Sequence, residues 1–165
     1  MQKRIIPSLR AKVSIGTIRR FLFLWAIALW LGGFTFYTGV VIHVGGRVLG
    51  SHLKQGFITE KVTNWLNVIG IIALPILLWN TAAIWHARGR MLRRTLVVTW
   101  GVMLLVQVEL LVLHLMMDRL LDPQARKVLD DARFERLHLV YVVSATAQWA
   151  AGVLHVFCAM NGAEV

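Results

Sequence analysis

The residues able to do chemistry in this chain are few and sit in apolar surroundings. His43, His114 and His138 come from three different apolar runs and fall at similar depth in the layout derived below. Three neutral imidazoles so placed could hold copper or zinc, with Asp118 one helical turn from His114 to orient its ring. No two of them have the HxxxH or HxxE spacing that puts a pair of ligands on one helix face. The plainer reading is that these histidines bond headgroups or backbone carbonyls. A haem b version pairs His43 with His138 and His86 with His155, one axial pair near each membrane face. His138 and His155 are about 25 Å apart along a helix, which is wide for such a pair of sites. A basic connection also follows His86 directly. Haem b, copper and zinc therefore stand behind an expectation of no cofactor.

Glu109 is the most expensive residue in the chain, at about 2.5–3.5 kcal/mol if charged near a bilayer centre. It reads as a proton or cation site with Gln107 and Gln148 on the path, or as a neutral carboxyl bonded to a neighbouring helix or subunit. No second intramembrane carboxylate supports a relay, so the structural reading is preferred. No nucleophile stands beside a base, and there is no phosphate loop. The chain is not expected to be an enzyme.

The elements that must position these groups are set by composition. Of 165 residues, 58% are hydrophobic, and the mean hydropathy is +0.66, well above the soluble range of about 45–50% apolar residues. Four windows, about 21–44, 64–85, 95–117 and 137–160, are long enough to cross a ~30 Å hydrocarbon core at ~1.5 Å per residue. The expected fold is all-α, an integral membrane four-helix up-down bundle with short amphipathic helices in the outer loops. A basic juxtamembrane arm (1–20) precedes it and a short tail (161–165) follows.

A net charge of +10 would suit nucleic acid, but the basic residues flank apolar runs, where they meet anionic headgroups. The expected partners are thus the bilayer and further protein chains, with no nucleic acid. Lys3, Arg4, Arg10, Lys12, Arg19 and Arg20 precede the first run, and Arg88, Arg90, Arg93 and Arg94 join the second to the third, with no acid among them. The positive-inside rule then puts both chain ends in the cytoplasm. The single Cys158 excludes an intrachain disulfide and reads as packing.

The last run carries its polar residues in single file. At 100° per residue, His138, Tyr141, Ser144, Gln148, Gly152 and His155 share about a third of the circumference. That ridge must meet other helices, because an unsatisfied polar group in hydrocarbon costs several kcal/mol. On the third run Gln107 and His114 share one side, while Glu109 points about 160° away from Gln107. On the first run Ala28, Gly32, Thr35, Gly39 and His43 fall on one face, and small residues at four-residue spacing predict close helix packing there. Trp25 and Trp30 read as lipid-facing or interfacial fillers. The first outer loop is placed at 45–63, with a short amphipathic helix near 48–55 and an N-cap at Asn64. Pro75 predicts a kink and an unpaired Ile71 carbonyl. Asp122 and Pro123 predict a helix start running towards Arg136.

The segments Trp30, Gly32, Gly33, Phe36 and Tyr37; Gly56, Phe57, Ile58, Thr59, Val62, Thr63, Leu66 and Asn67; and Phe134, Leu137, His138, Tyr141, Gln148 and Trp149 carry a resemblance. The chain resembles small bacterial four-helix membrane proteins of unknown function related to the transmembrane protein 205-like family. The resemblance implies a four-helix bundle in a bacterial cytoplasmic membrane, and it implies no activity. By the same resemblance Asn67, His138, Tyr141 and Gln148 are polar positions of that pattern. With Gln107 and Glu109 they make the expected internal polar network. The expected function is non-enzymatic, a structural or accessory subunit or a self-associating bundle. A small transporter or metal-handling protein using the polar layer between helices three and four comes second, and a b-type cytochrome third.

Overall fold

The computed structural model describes residues 14–122 and 127–161. The remainder of the basic arm before Ser14, Pro123 and the last four tail residues lie outside the described residues. The chain is all-α, with four helices that are each long and apolar enough to cross a membrane. The first, α1, runs Ile15–Leu49 and begins six residues before its expected start. Ser14 caps it by accepting from the Thr17 amide at 3.2 Å. Gly16 lies inside its first turn. Two π segments, Ala28–Gly32 and Tyr37–Val41, interrupt its α-helical ladder. Between and beside them Thr35 and Thr38 return their hydroxyls to the Leu31 and Phe34 carbonyls at 2.7 and 2.9 Å.

The expected loop at 45–63 is helical almost throughout, which corrects that reading. Only Gly50 and Ser51 separate α1 from α2, His52–Ile84. Gly50 adopts φ +56°, the left-handed conformation that ends a helix without a Cβ penalty, and its amide bonds the Gly46 carbonyl at 3.2 Å. No separate amphipathic helix forms near 48–55, and Asn64 lies within α2 rather than capping it. Pro75 sits inside an uninterrupted helix. The donor that reaches this stretch is Trp100 Nε1, which bonds the Leu74 carbonyl at 2.9 Å rather than that of Ile71.

A 3-10 turn, Trp85–Ala87, leads to α3, Arg90–Asp118. The helix expected from Pro123 towards Arg136 is seen from Asp131 onward; before it β1 (Leu121–Asp122) pairs with β2 (Lys127–Val128) in a small antiparallel ribbon, and 123–126 lie outside the described residues. The last helix, α4, is Asp131–Met160, capped by Asp130, whose carboxylate accepts from the Arg133 amide at 3.0 Å.

Sequence neighbours are spatial neighbours, with α3 and α4 the most extensively packed pair. Two apolar cores result. Phe23, Ala26, Trp30, Leu74, Leu77, Leu96, Met103 and Cys158 build one, at the end carrying the Trp85–Gly89 connection. Leu110, Leu113, Met117, Tyr141 and Ala145 build the other, towards the ribbon. We call these the closed and open ends. At the closed end Arg88 is buried and donates from Nη2 to the Ala159 carbonyl at 2.6 Å, covering a free carbonyl at the end of α4 where the helix dipole favours a cation.

The outward surfaces are apolar along all four helices, with Leu105 72% exposed, Ile72 58% and Val143 61%. On α1 the expected packing face is corrected. Ala28, Gly32 and Gly39 are exposed, and an added Cβ at Gly32 or Gly39 would touch nothing. Trp30, expected outside, is buried instead. It enters a niche at Gly70, where a Cβ would lie 2.9 Å from the indole nitrogen. Trp25 stays outside.

Candidate functional site

Between the two cores lies a buried polar layer. Gln148 Nε2 donates to Gln107 Oε1 at 3.1 Å and to the Met103 carbonyl at 3.0 Å. Gln107 Nε2 in turn donates to Asn67 Oδ1 at 3.3 Å, and the Tyr141 hydroxyl donates to the same oxygen at 3.4 Å. Helices α2, α3 and α4 are thus joined by one chain of side chains. Gly70 permits it, because a Cβ there would collide with Gln107 Oε1. The structure therefore brings together Asn67, Gln107, Tyr141 and Gln148 of the six residues expected in a network.

The other two stand elsewhere. Glu109 is exposed on α3 and accepts from the Ser144 hydroxyl of α4 at 3.1 Å, a sideways pairing on the outer surface. His138 is exposed and stacks on Phe134, with ring planes 5° apart.

His155 forms a second polar point at the closed end. It is 0% exposed, with Nδ1 2.9 Å from Thr99 Oγ1 and Nε2 3.2 Å from Thr81 Oγ1. The Thr99 hydroxyl is committed to the Thr95 carbonyl at 2.8 Å. Nδ1 must then donate to it, which leaves Nε2 to accept from Thr81. Both nitrogens are engaged, and His86, its partner in the haem alternative, is exposed.

The open end holds a cavity of about 980 Å3 between α1 and α4, floored by α2 and α3. The two walls meet at the bond from Trp149 Nε1 to Thr35 Oγ1, 3.0 Å long. Towards the ribbon, residues of both helices line the cavity instead of packing together. Its floor is a stripe on α2 at four-residue spacing, Gln55, Thr59 and Thr63, which leads down to Asn67 in the polar layer. Tyr37 donates to Thr59 at 2.7 Å, and Thr59 donates on to the Gln55 carbonyl at 2.9 Å. The Gln55 carboxamide is buried and neither of its polar atoms has a hydrogen-bond partner. Asp118 Oδ1 on α3 is likewise buried and unpaired, while Oδ2 lies 3.6 Å from His114 Nε2.

His43, His114 and His138 all line this cavity, yet among the described residues no three His, Cys, Asp or Glu side chains converge as a metal-holding group.

The α2 stripe is readable as an i, i+4 series, but placing 45–63 in a loop dissolves the periodicity that shows it. Gly70, Thr81 and Thr99 matter through what faces them, and that is visible only in three dimensions. Comparison with protein-family models, curated proteins and solved structures finds no match to this chain, and so brings nothing to bear on the transmembrane protein 205-like resemblance.

Proposed function

We propose that this protein is an integral membrane four-helix up-down bundle that binds a small molecule in a cavity of its outer half. The apolar outward faces suit acyl chains, where a water-exposed surface of that kind would drive association. The basic connection Arg88–Arg94 is placed on the cytoplasmic side with both chain ends, so the cavity faces outward and opens sideways between α1 and α4. The observation that carries the reading is the cavity of about 980 Å3 itself, whose wall sets the rings of Phe34, Tyr37, Phe134, Tyr141 and Trp149 beside Thr38, Thr59 and Thr63. A concave, largely apolar recess with a few polar groups is the form that small-molecule sites take. The layer of Asn67, Gln107 and Gln148 closes the cavity below. Binding is therefore favoured over passage, and the layer serves as floor rather than path.

The test is chemical access. A Thr63→Cys variant in intact vesicles is expected to react with methyl methanethiosulfonate, while Thr81→Cys at the closed end stays protected. Equal protection of both positions would remove the cavity. A second reading, self-association as a structural subunit, draws on the exposed Ala28, Gly32 and Gly39 face, which has no intrachain partner.

A further inference from the structure

The charge of the cavity wall differs in sign from that of the chain. The protein carries +10 overall, yet among the described residues no Lys or Arg lines the cavity, whereas Glu60, Asp118 and Glu135 do. Glu60 is paired outward with Lys61 at 2.6 Å, a lysine whose side chain is 76% exposed and lies off the wall. Asp118 lies 3.6 Å from His114 Nε2 through Oδ2 and also interacts at longer range with Glu60 and Lys61. The remaining titratable wall groups are Tyr37, His43, His114, His138 and Tyr141. Low-dielectric walls around carboxylates concentrate cations.

A second feature is independent of that charge. Phe34, Phe134, Tyr141 and Trp149 add rings to the same wall, and ring faces attract ammonium groups, more strongly once desolvated. The sideways opening between α1 and α4 suits an apolar body held at membrane depth.

Resting on the binding role argued above, we infer that the ligand class is an amphiphilic organic cation. Its positive head lies among Asp118 and the aromatic rings, and its apolar body lies between α1 and α4.

The experiment uses the full chain carrying Thr63→Cys in phosphatidylcholine vesicles at about pH 8, where free imidazole is mostly neutral. Three thiol reagents of similar reach are compared: trimethylammonioethyl, sulfonatoethyl and uncharged methyl methanethiosulfonate. Each rate is divided by the same reagent's rate with 2-mercaptoethanol. The cationic reagent is expected to outpace the anionic one by at least about tenfold, the enrichment a carboxylate-lined cleft produces. Asp118→Asn should reduce that ratio several-fold and leave the uncharged reagent unaffected. Decyltrimethylammonium should slow uncharged labelling, and decyl sulfate at equal concentration should not. If the uncharged reagent labels the introduced thiol while cation and anion react alike, the ligand class is wrong and the cavity stands. If none of the three labels it, both readings fall. Should Asp118→Asn not fold, the ratio measured on Thr63→Cys alone still decides.

Discussion

The closed and open ends are built from the same four helices and similar apolar residues, yet one is filled and the other is hollow. At the closed end Leu77, Leu96, Met103 and His155 are almost completely buried. At the open end Thr38, Thr59, Thr63 and Val142 line empty space. The difference lies in how large side chains are received. Trp30 and Gln107 enter the space left by Gly70, and Leu31 enters that left by Gly152, where a Cβ would lie 2.8 Å from Leu31 Cδ2. Near the ribbon Tyr37 of α1 bonds Thr59 of α2, and residues of α1 and α4 line the cavity instead of closing on each other. An apolar face at helical spacing is thus not yet a core. A core also needs recesses opposite its bulky residues.

The contrast can be broken most strongly by truncation. Leu77→Ala or Leu96→Ala should cost about 2–5 kcal/mol, because close-packed neighbours leave a void. Val142→Ala on the cavity wall should cost well under about 1 kcal/mol, since little packs against it. Unfolding in mixed micelles followed by circular dichroism measures both. Equal losses would mean that the cavity is filled.

Gly70→Ala comes next, at about 1–3 kcal/mol, the usual range for forcing extra volume into a packed site. Its Cβ would strike Gln107 Oε1 and the Trp30 indole together. The same unfolding assay, with indole fluorescence reporting a displaced Trp30, distinguishes this from simple loss of helix. A neutral result would show that α1 and α2 stand further apart than described.

Much of the architecture is legible in the residues alone. Four apolar stretches become four helices, and of the polar ridge on α4 Tyr141, Gln148, Gly152 and His155 lie buried, while Ser144 is half-buried and His138 exposed. A 3.6-residue period specifies which residues share a side, and the cost of stranded polar groups specifies that the side turns inward. The face of α1 misleads for a reason of the same kind. Ala28, Gly32 and Gly39 lie two residues out of step with Ala26, Trp30 and Tyr37, hence about 200° away. Both faces look able to pack. The deciding glycine belongs to α2, and no pattern within α1 can report it. Helix ends are missed where glycine is taken for a loop, since Gly45, Gly46 and Gly56 are helical and only Gly50 needs a positive φ. The cavity is illegible because its walls are defined by where α1 and α4 fail to touch.

A smaller effect probes the open end alone. Tyr37→Phe removes the bond to Thr59 and should cost about 0.5–1.5 kcal/mol, the net value of one such bond. If the bond also holds the cavity's width, thiol labelling in the Thr63→Cys background should slow when Tyr37→Phe is added. Unchanged access would mean that it does not.

The smallest expected effect tests what lies outside the bundle. Gly32→Ala adds a methyl to an exposed position that meets nothing, within a π segment of α1 and away from the cavity wall. For one chain in isolation the change should be neutral to stabilising by up to about 1 kcal/mol, since alanine favours helix over glycine. Sedimentation in detergent should then be unaltered. If the substitution instead weakens the protein and shifts it to a smaller species, the Ala28, Gly32 and Gly39 face is packed against a second copy. Two backbones brought together by small residues tolerate an added methyl poorly. In that case the small-residue spacing would have marked an interface correctly, with its partner in another chain.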